Sequence, residues 1–189
     1  MDRSKIALLI IDVQMAFVQF AQNNVPRSEP DAEANIAKLL EAFRVAGLKV
    51  CHIHHHSLED GSPFTAGLPG AEVQDFVKSM DGEAVYIKHV NSSFIGTSLE
   101  QDLRDQGISQ LIMCGGTANH CVETTTRMAG NLGFDTYYVA DGVWAYGHTG
   151  PDGKIHTPEE VHSMSLSNLH GEFATVLKTD DILDQLKLE

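Results

Sequence analysis

Ile6-Ala7-Leu8-Leu9-Ile10-Ile11 is an unbroken apolar run that stops at Asp12. A strand with one wet face alternates apolar and polar residues. A run without alternation is a strand buried on both faces, and such strands belong to the parallel sheets of α/β proteins. The chain downstream supplies the helices that such a sheet needs. Ile36, Leu39, Leu40 and Phe43 fall at i, i+3, i+4 and i+7, which predicts an amphipathic helix over Asp31–Ala46, stopped by Gly47. Further strands are expected at Leu48–His54, Ala84–Lys88, Ser109–Cys114, Phe134–Ala140 and Phe173–Leu177. Helices are expected at Thr97–Gln106, Asn119–Asn131 and Pro158–His170, with a last one carrying Ile182, Leu183 and Leu186. Residues 57–82 and 142–157 show no period and read as long loops. Strands alternating with helices predict a three-layer, doubly wound open sheet of about six mostly parallel strands with helices on both faces. An eight-fold barrel needs roughly 250 residues, and this chain has 189. Without repeats or linkers, residues 1–189 read as a single domain.

Composition narrows the partners. Lys plus Arg number 13 against 26 Asp plus Glu, a formal charge of −13, and a surface that negative repels phosphate backbones. Nucleic acid is therefore an unsuitable partner. No apolar run approaches the ~20 residues of a membrane span, and Ile6–Ile11 is shorter than a secretory signal core of about 7–15 residues. The three cysteines, Cys51, Cys114 and Cys121, are too few and scattered for a disulfide framework or a four-thiolate zinc site. A cytoplasmic protein in a reducing compartment is the expectation.

Open parallel sheets bind ligands beyond the C-terminal ends of their strands. The polar residues expected there are Asp12, His54 to His56, Lys88, Cys121 just past Gly115-Gly116, and Asp141. Asp12, Lys88 and Cys121 make a coherent chemical set of carboxylate, ammonium and thiol. At pH 7 only about 3% of a free thiol is thiolate. The positive end of a helix and a nearby Lys88 would lower the pKa of Cys121. Asp12 can take the thiol proton and pass it to a leaving amine, and backbone N–H groups after the Gly-Gly turn can hold an oxyanion. The structural alternatives are a core cysteine, an Asp that caps a helix, and a Lys in solvent.

Ile10-Ile11-Asp12-Val13-Gln14 with Phe17, Tyr86 to Phe94 around Lys88, Cys114 to Thr125 around Cys121, and Val139-Ala140-Asp141-Gly142 together resemble the isochorismatase-like cysteine hydrolases, in order and over nearly the whole chain. The resemblance implies Asp12 as general acid/base, Lys88 as electrostatic partner and Cys121 as nucleophile. It also implies a cis peptide at Gly116-Thr117, with the backbone N–H groups of Thr117 and Cys121 as the oxyanion hole. The metal-dependent nicotinamidase branch carries an Asp-x-His element. Here the second strand ends His52-Ile53-His54-His55-His56, so no metal and no other cofactor is expected. Were a metal bound, His54 and His56, on one face of a strand, would be the ligands to test.

An intact thiol favours a small amide or lactam as substrate, as in streptothricin hydrolase-like members, cleaved through a thioester on Cys121. Two alternatives stand beside this: isochorismatase-type vinyl-ether hydrolysis with Asp12 as acid, and a non-catalytic binding or assembly module that keeps the fold. Phe17, His54, Phe94 and Trp144 are candidate pocket walls. A homo-oligomer, dimer or tetramer, is expected from the resemblance, with loops 57–82 and 142–157 covering a neighbour's site. Such an assembly would hide Phe64, Leu68 and Trp144, otherwise left in surface loops.

Overall fold

The structure, a computed structural model, describes residues 1–188. Six strands form one parallel sheet: β1 (Ile6–Ile11), β2 (Lys49–His55), β3 (Ala84–Lys88), β4 (Gln110–Gly116), β5 (Asp135–Trp144) and β8 (Thr175–Leu177), in the order β3-β2-β1-β4-β5-β8. The first strand is central, and its run of six buried residues serves two cores at once. Ala7, Leu9 and Ile11 face one, and Ile6, Leu8 and Ile10 the other. Helices α3 (Leu99–Asp105), α4 (Glu123–Asn131) and α5 (Pro158–Leu169) lie on the first side, while α2 (Ala32–Val45) and α6 (Thr179–Leu186) cover the second. The predicted three-layer open sheet is therefore the fold.

The strand order reverses direction between β1 and β4. That switch point opens a crevice at the C-terminal ends of the two strands. Gly115, at φ +122°, lets them close there, because a Cβ on it would stand 1.9 Å from the carbonyl oxygen of Ile11.

Three local features differ from the sequence reading. Residues 15–22, to which no element was assigned, form helix α1 (Met15–Gln22), whose Ala16 and Phe17 are buried. The helix after β4 does not begin as an α-helix: Ala118–Val122 is a π-helical turn, with Val122 N–H donating to the Thr117 carbonyl at 3.3 Å, and α4 follows it. The third difference is that β5 runs on past Asp141. Its register with β4 jumps from Met113–Tyr138 to Gly115–Val143, so residues 140–142 bulge and Trp144 stays in the sheet. The loop beyond it folds into a small antiparallel hairpin, β6 (His148–Thr149) with β7 (Ile155–His156).

Candidate active site

Asp12 follows β1 in a left-handed conformation, φ +53°, which turns the chain out of the sheet. Asp12 is 2% exposed, and Lys88 at the end of β3 is completely buried. Lys88 Nζ donates to Asp12 Oδ2 at 2.7 Å, while Asp12 Oδ1 has no hydrogen-bond partner. Cys121, in the π-turn after β4, is half-buried, and its thiol is close enough to both Asp12 and Lys88 to feel each charge. The Gly116–Thr117 peptide is cis.

Burial raises the Asp12 carboxyl above its ordinary value, against the pull of Lys88. Burial, followed by the Asp12 charge, pushes the Cys121 thiol up to about 12. The sequence reading, which set a helix dipole and Lys88 against an otherwise free thiol, expected the opposite direction. It left out desolvation and a carboxylate neighbour. In the resting state the thiol keeps its proton. Moving that proton to Asp12 leaves the total charge of the cluster unchanged, so the desolvation that opposes a free thiolate does not oppose the transfer.

The π-turn is fixed from behind. Tyr138 Oη donates to the Ala118 carbonyl at 2.8 Å, and Ser165 Oγ lies 2.9 Å from the same oxygen. The first turn of the site is fixed by Gln14, which is wholly buried. Its Nε2 donates to the carbonyls of His55 (3.0 Å) and Ala71 (2.8 Å), and its Oε1 accepts from His55 N–H at 2.8 Å. Asp12, Cys121, Thr117 and Gly116 open onto a cleft of about 950 Å³. One wall is aromatic: Phe17 lies edge-on to Phe64 at 5.2 Å and stacks with Tyr146 at 6.2 Å, with Phe20 beyond. The other carries His120 and His148, 5.2 Å between ring centres, with Asn119 bonded to both. Among the described residues, no Arg or Lys lines the cleft.

Phe17 reaches the cleft wall; the other three proposed wall residues do not. Trp144 is fully buried behind Phe17, 5.2 Å ring to ring, with the Arg27 guanidinium over its other side. Its ring still shapes the site indirectly, since a Cβ on Gly116 would meet it at 2.5 Å and Phe17 at 2.8 Å. Phe94 is stacked on Phe134 in the core beneath the sheet. His54 misses the cleft by one residue. Cys51 and Ile53 face one core, so the period of two carries His55, not His54, to the cleft. His54 and His56 share a face, as expected, but it lines a separate 570 Å³ cavity beside Leu68 and Glu72. Among the described residues, no three His, Cys, Asp or Glu are grouped to hold a metal ion.

Asp141 lies away from the site and accepts from Thr179 N–H and Oγ at 2.8 Å each, capping α6. Of the three apolar residues expected in surface loops, Leu68 alone is exposed. Phe64 lines this chain's own cleft and Trp144 is core, so neither needs a neighbouring subunit to cover it. Gln14, Phe64 and Tyr146 are the site residues the sequence reading gave no place in the site, and His55, expected at the strand end, takes the wall position assigned to His54. The alternation from Ile53 was the available signal for His55. No helix is long and apolar enough, among the described residues, to cross a membrane.

Residues 6–181 match the isochorismatase domain model. The chain is 43% identical over 180 residues to the isochorismatase family protein YrdC of Bacillus subtilis, covering 95% of each protein. It is 33% identical over 126 residues to streptothricin hydrolase of Streptomyces noursei, covering 65% of this chain and 48% of that protein. A crystal structure of an isochorismatase-family protein from Chromobacterium violaceum superposes with a TM-score of 0.93 at 40% identity, covering 99% of this chain and 96% of that one.

Proposed function

We propose, from the premise that the chain belongs to the isochorismatase family of hydrolases, that it is a cysteine amidohydrolase cleaving the C–N bond of a small amide or lactam. The observation that carries this reading is the meeting of the Cys121 thiol with the Asp12 carboxylate at the floor of one cleft, with the Lys88 ammonium buried behind them. In the proposed reaction Asp12 takes the thiol proton as Sγ attacks the amide carbon. The oxyanion is held by the backbone N–H groups of Thr117 and Cys121. Asp12 then gives the proton to the amide nitrogen, the C–N bond breaks, and a thioester remains on Cys121. Water, deprotonated by Asp12, attacks the thioester; the acid leaves and the thiol regains its proton. The Lys88 ammonium, 2.7 Å from Asp12, offsets the single negative charge that moves between carboxylate, thiolate and oxyanion.

Vinyl-ether hydrolysis of isochorismate is the less suitable reading. That substrate bears two carboxylates, and the cleft presents neither Arg nor Lys to them while Glu59 and Asp60 stand in its lining. A neutral or cationic amide suits this charge pattern better. The similarity to streptothricin hydrolase points the same way. The test is a panel of small amides and lactams scored by released amine, with Cys121→Ser and Asp12→Asn alongside. Hydrolysis abolished in both variants is the expected result. An amide turned over as fast without the thiol would overturn the proposal.

A further inference from the structure

Lys88 Nζ donates to Asp12, and its ammonium has a second neighbour. His55 Nδ1 lies 3.4 Å from Lys88 Nζ. An ammonium has only donors, so Nδ1 must be the acceptor of that contact, and a neutral imidazole then carries its hydrogen on Nε2. Burial, with the Lys88 charge adding to it, lowers His55 to about 4, which keeps the ring neutral at physiological pH. The ring is also held in place: its backbone N–H and carbonyl are both bonded to Gln14, and its edge packs on Phe64 at 5.9 Å. Among the described residues no group accepts from Nε2, and His55 lines the cleft beside Asp12 and Cys121. A rigid, directed donor next to the reacting atoms is the kind of group that selects substrates rather than merely admitting them.

We propose that His55 determines specificity in this cleft, donating its Nε2–H to a hydrogen-bond acceptor that the substrate carries beside the scissile amide, such as a ring nitrogen. The proposal rests on the amide-hydrolase reading and adds to it a substrate class: flat amides with an adjacent acceptor, their apolar body against Phe17 and Phe64. An amide of the same shape without the acceptor leaves Nε2–H unpaired on closing the cleft, and a single neutral hydrogen bond of this kind is worth about tenfold in affinity.

Two measurements test it. Long-range proton–nitrogen spectra of ¹⁵N-histidine-labelled protein at neutral pH should assign His55 as the Nε2–H tautomer. The Nδ1–H tautomer, or an imidazolium, would overturn the proposal. Binding is then read in a Cys121→Ser background, where no chemistry is needed, using pyridine-2-carboxamide and benzamide as the pair. The pyridine amide should bind about tenfold more tightly. His55→Phe should erase that preference while benzamide affinity changes little, and His55→Gln, whose amide N–H reaches the same place, should restore most of it. No binding of either amide, or a preference untouched by His55→Phe, would sink the proposal. If both amides resist hydrolysis by the unmodified protein while the tautomer and the binding preference hold, the amide-hydrolase reading fails and the role of His55 stands.

Discussion

Strand β2 contributes a histidine to each of two charge clusters, one partly exposed and one buried, and the clusters are built to opposite ends. His52 meets Glu83 at 2.8 Å, and Arg44 grips the same carboxylate with Nε and Nη2, both at 2.8 Å. Met80 N–H donates to it as well, so both oxygens of Glu83 are occupied and its pKa is held down to about 2. Three residues further on, His55 joins Lys88 and Asp12. There one carboxylate oxygen is unpartnered, and burial drives Asp12 and Cys121 upward instead. A carboxylate saturated by donors is fixed in its ionised form and ties elements together. A carboxylate cut off from water, with one oxygen left free, is poised to accept a proton. Burial and the direction of the shift agree: Glu83 and Arg44 keep part of their side chains in water, whereas Asp12 and Lys88 are sealed from it.

Substitutions at the two clusters should therefore fail in different ways. The largest effect is expected from Asp12→Asn, which keeps the shape and removes the proton acceptor. Turnover of the best amide should fall by about 10²–10⁴ with little change in Tm. Retained turnover would place Asp12 with the clamp residues. For Lys88→Ala the expectation is loss of both activity and stability, because it leaves a buried carboxylate alone. Breaking a buried pair is destabilising by about 3–5 kcal/mol, and protonation of Asp12 will limit that loss, as a urea titration at neutral pH can show.

Glu83→Gln should do the reverse, sparing kcat and lowering stability by about 2 kcal/mol. The pH dependence gives the sign. Glu83 titrates lower in the folded chain than its ordinary 4.5, so its contribution is present above that value and lost as pH falls toward about 2. Wild-type and variant stabilities should converge across that window. The smallest effect is in alkylation. Cys51 and Cys114 are buried while Cys121 is half-buried and opens onto the cleft, so access alone should make brief iodoacetamide treatment label Cys121 first.

The same contrast explains what the sequence disclosed. Ile6–Ile11 can be read because burial on both faces leaves no polar residue to interrupt it, and the chain ends of β1, β3 and β4 then place Asp12, Lys88 and Cys121 near one another by topology alone. What the strand ends cannot convey is a one-residue choice of face. His54 and His55 are the same residue type, and only the side taken by Ile53 distinguishes them. Trp144 was hidden by the bulge at 140–142, a register change that no local pattern announces. Phe94 was hidden because an aromatic near a strand end is equally at home in the core. The direction of the Cys121 shift depends on desolvation by residues distant in sequence, which a list of neighbouring charges omits.

The proposed mechanism makes Cys121 the nucleophile of the buried cluster. It is tested most directly by acid-quenching the protein during turnover of a reactive acyl substrate and mapping the peptides by mass spectrometry. An acyl adduct is expected on the peptide bearing Cys121, released by hydroxylamine as a thioester should be, and absent from Cys121→Ser. Turnover that proceeds with no adduct on Cys121, and at the same rate in Cys121→Ser, would contradict it.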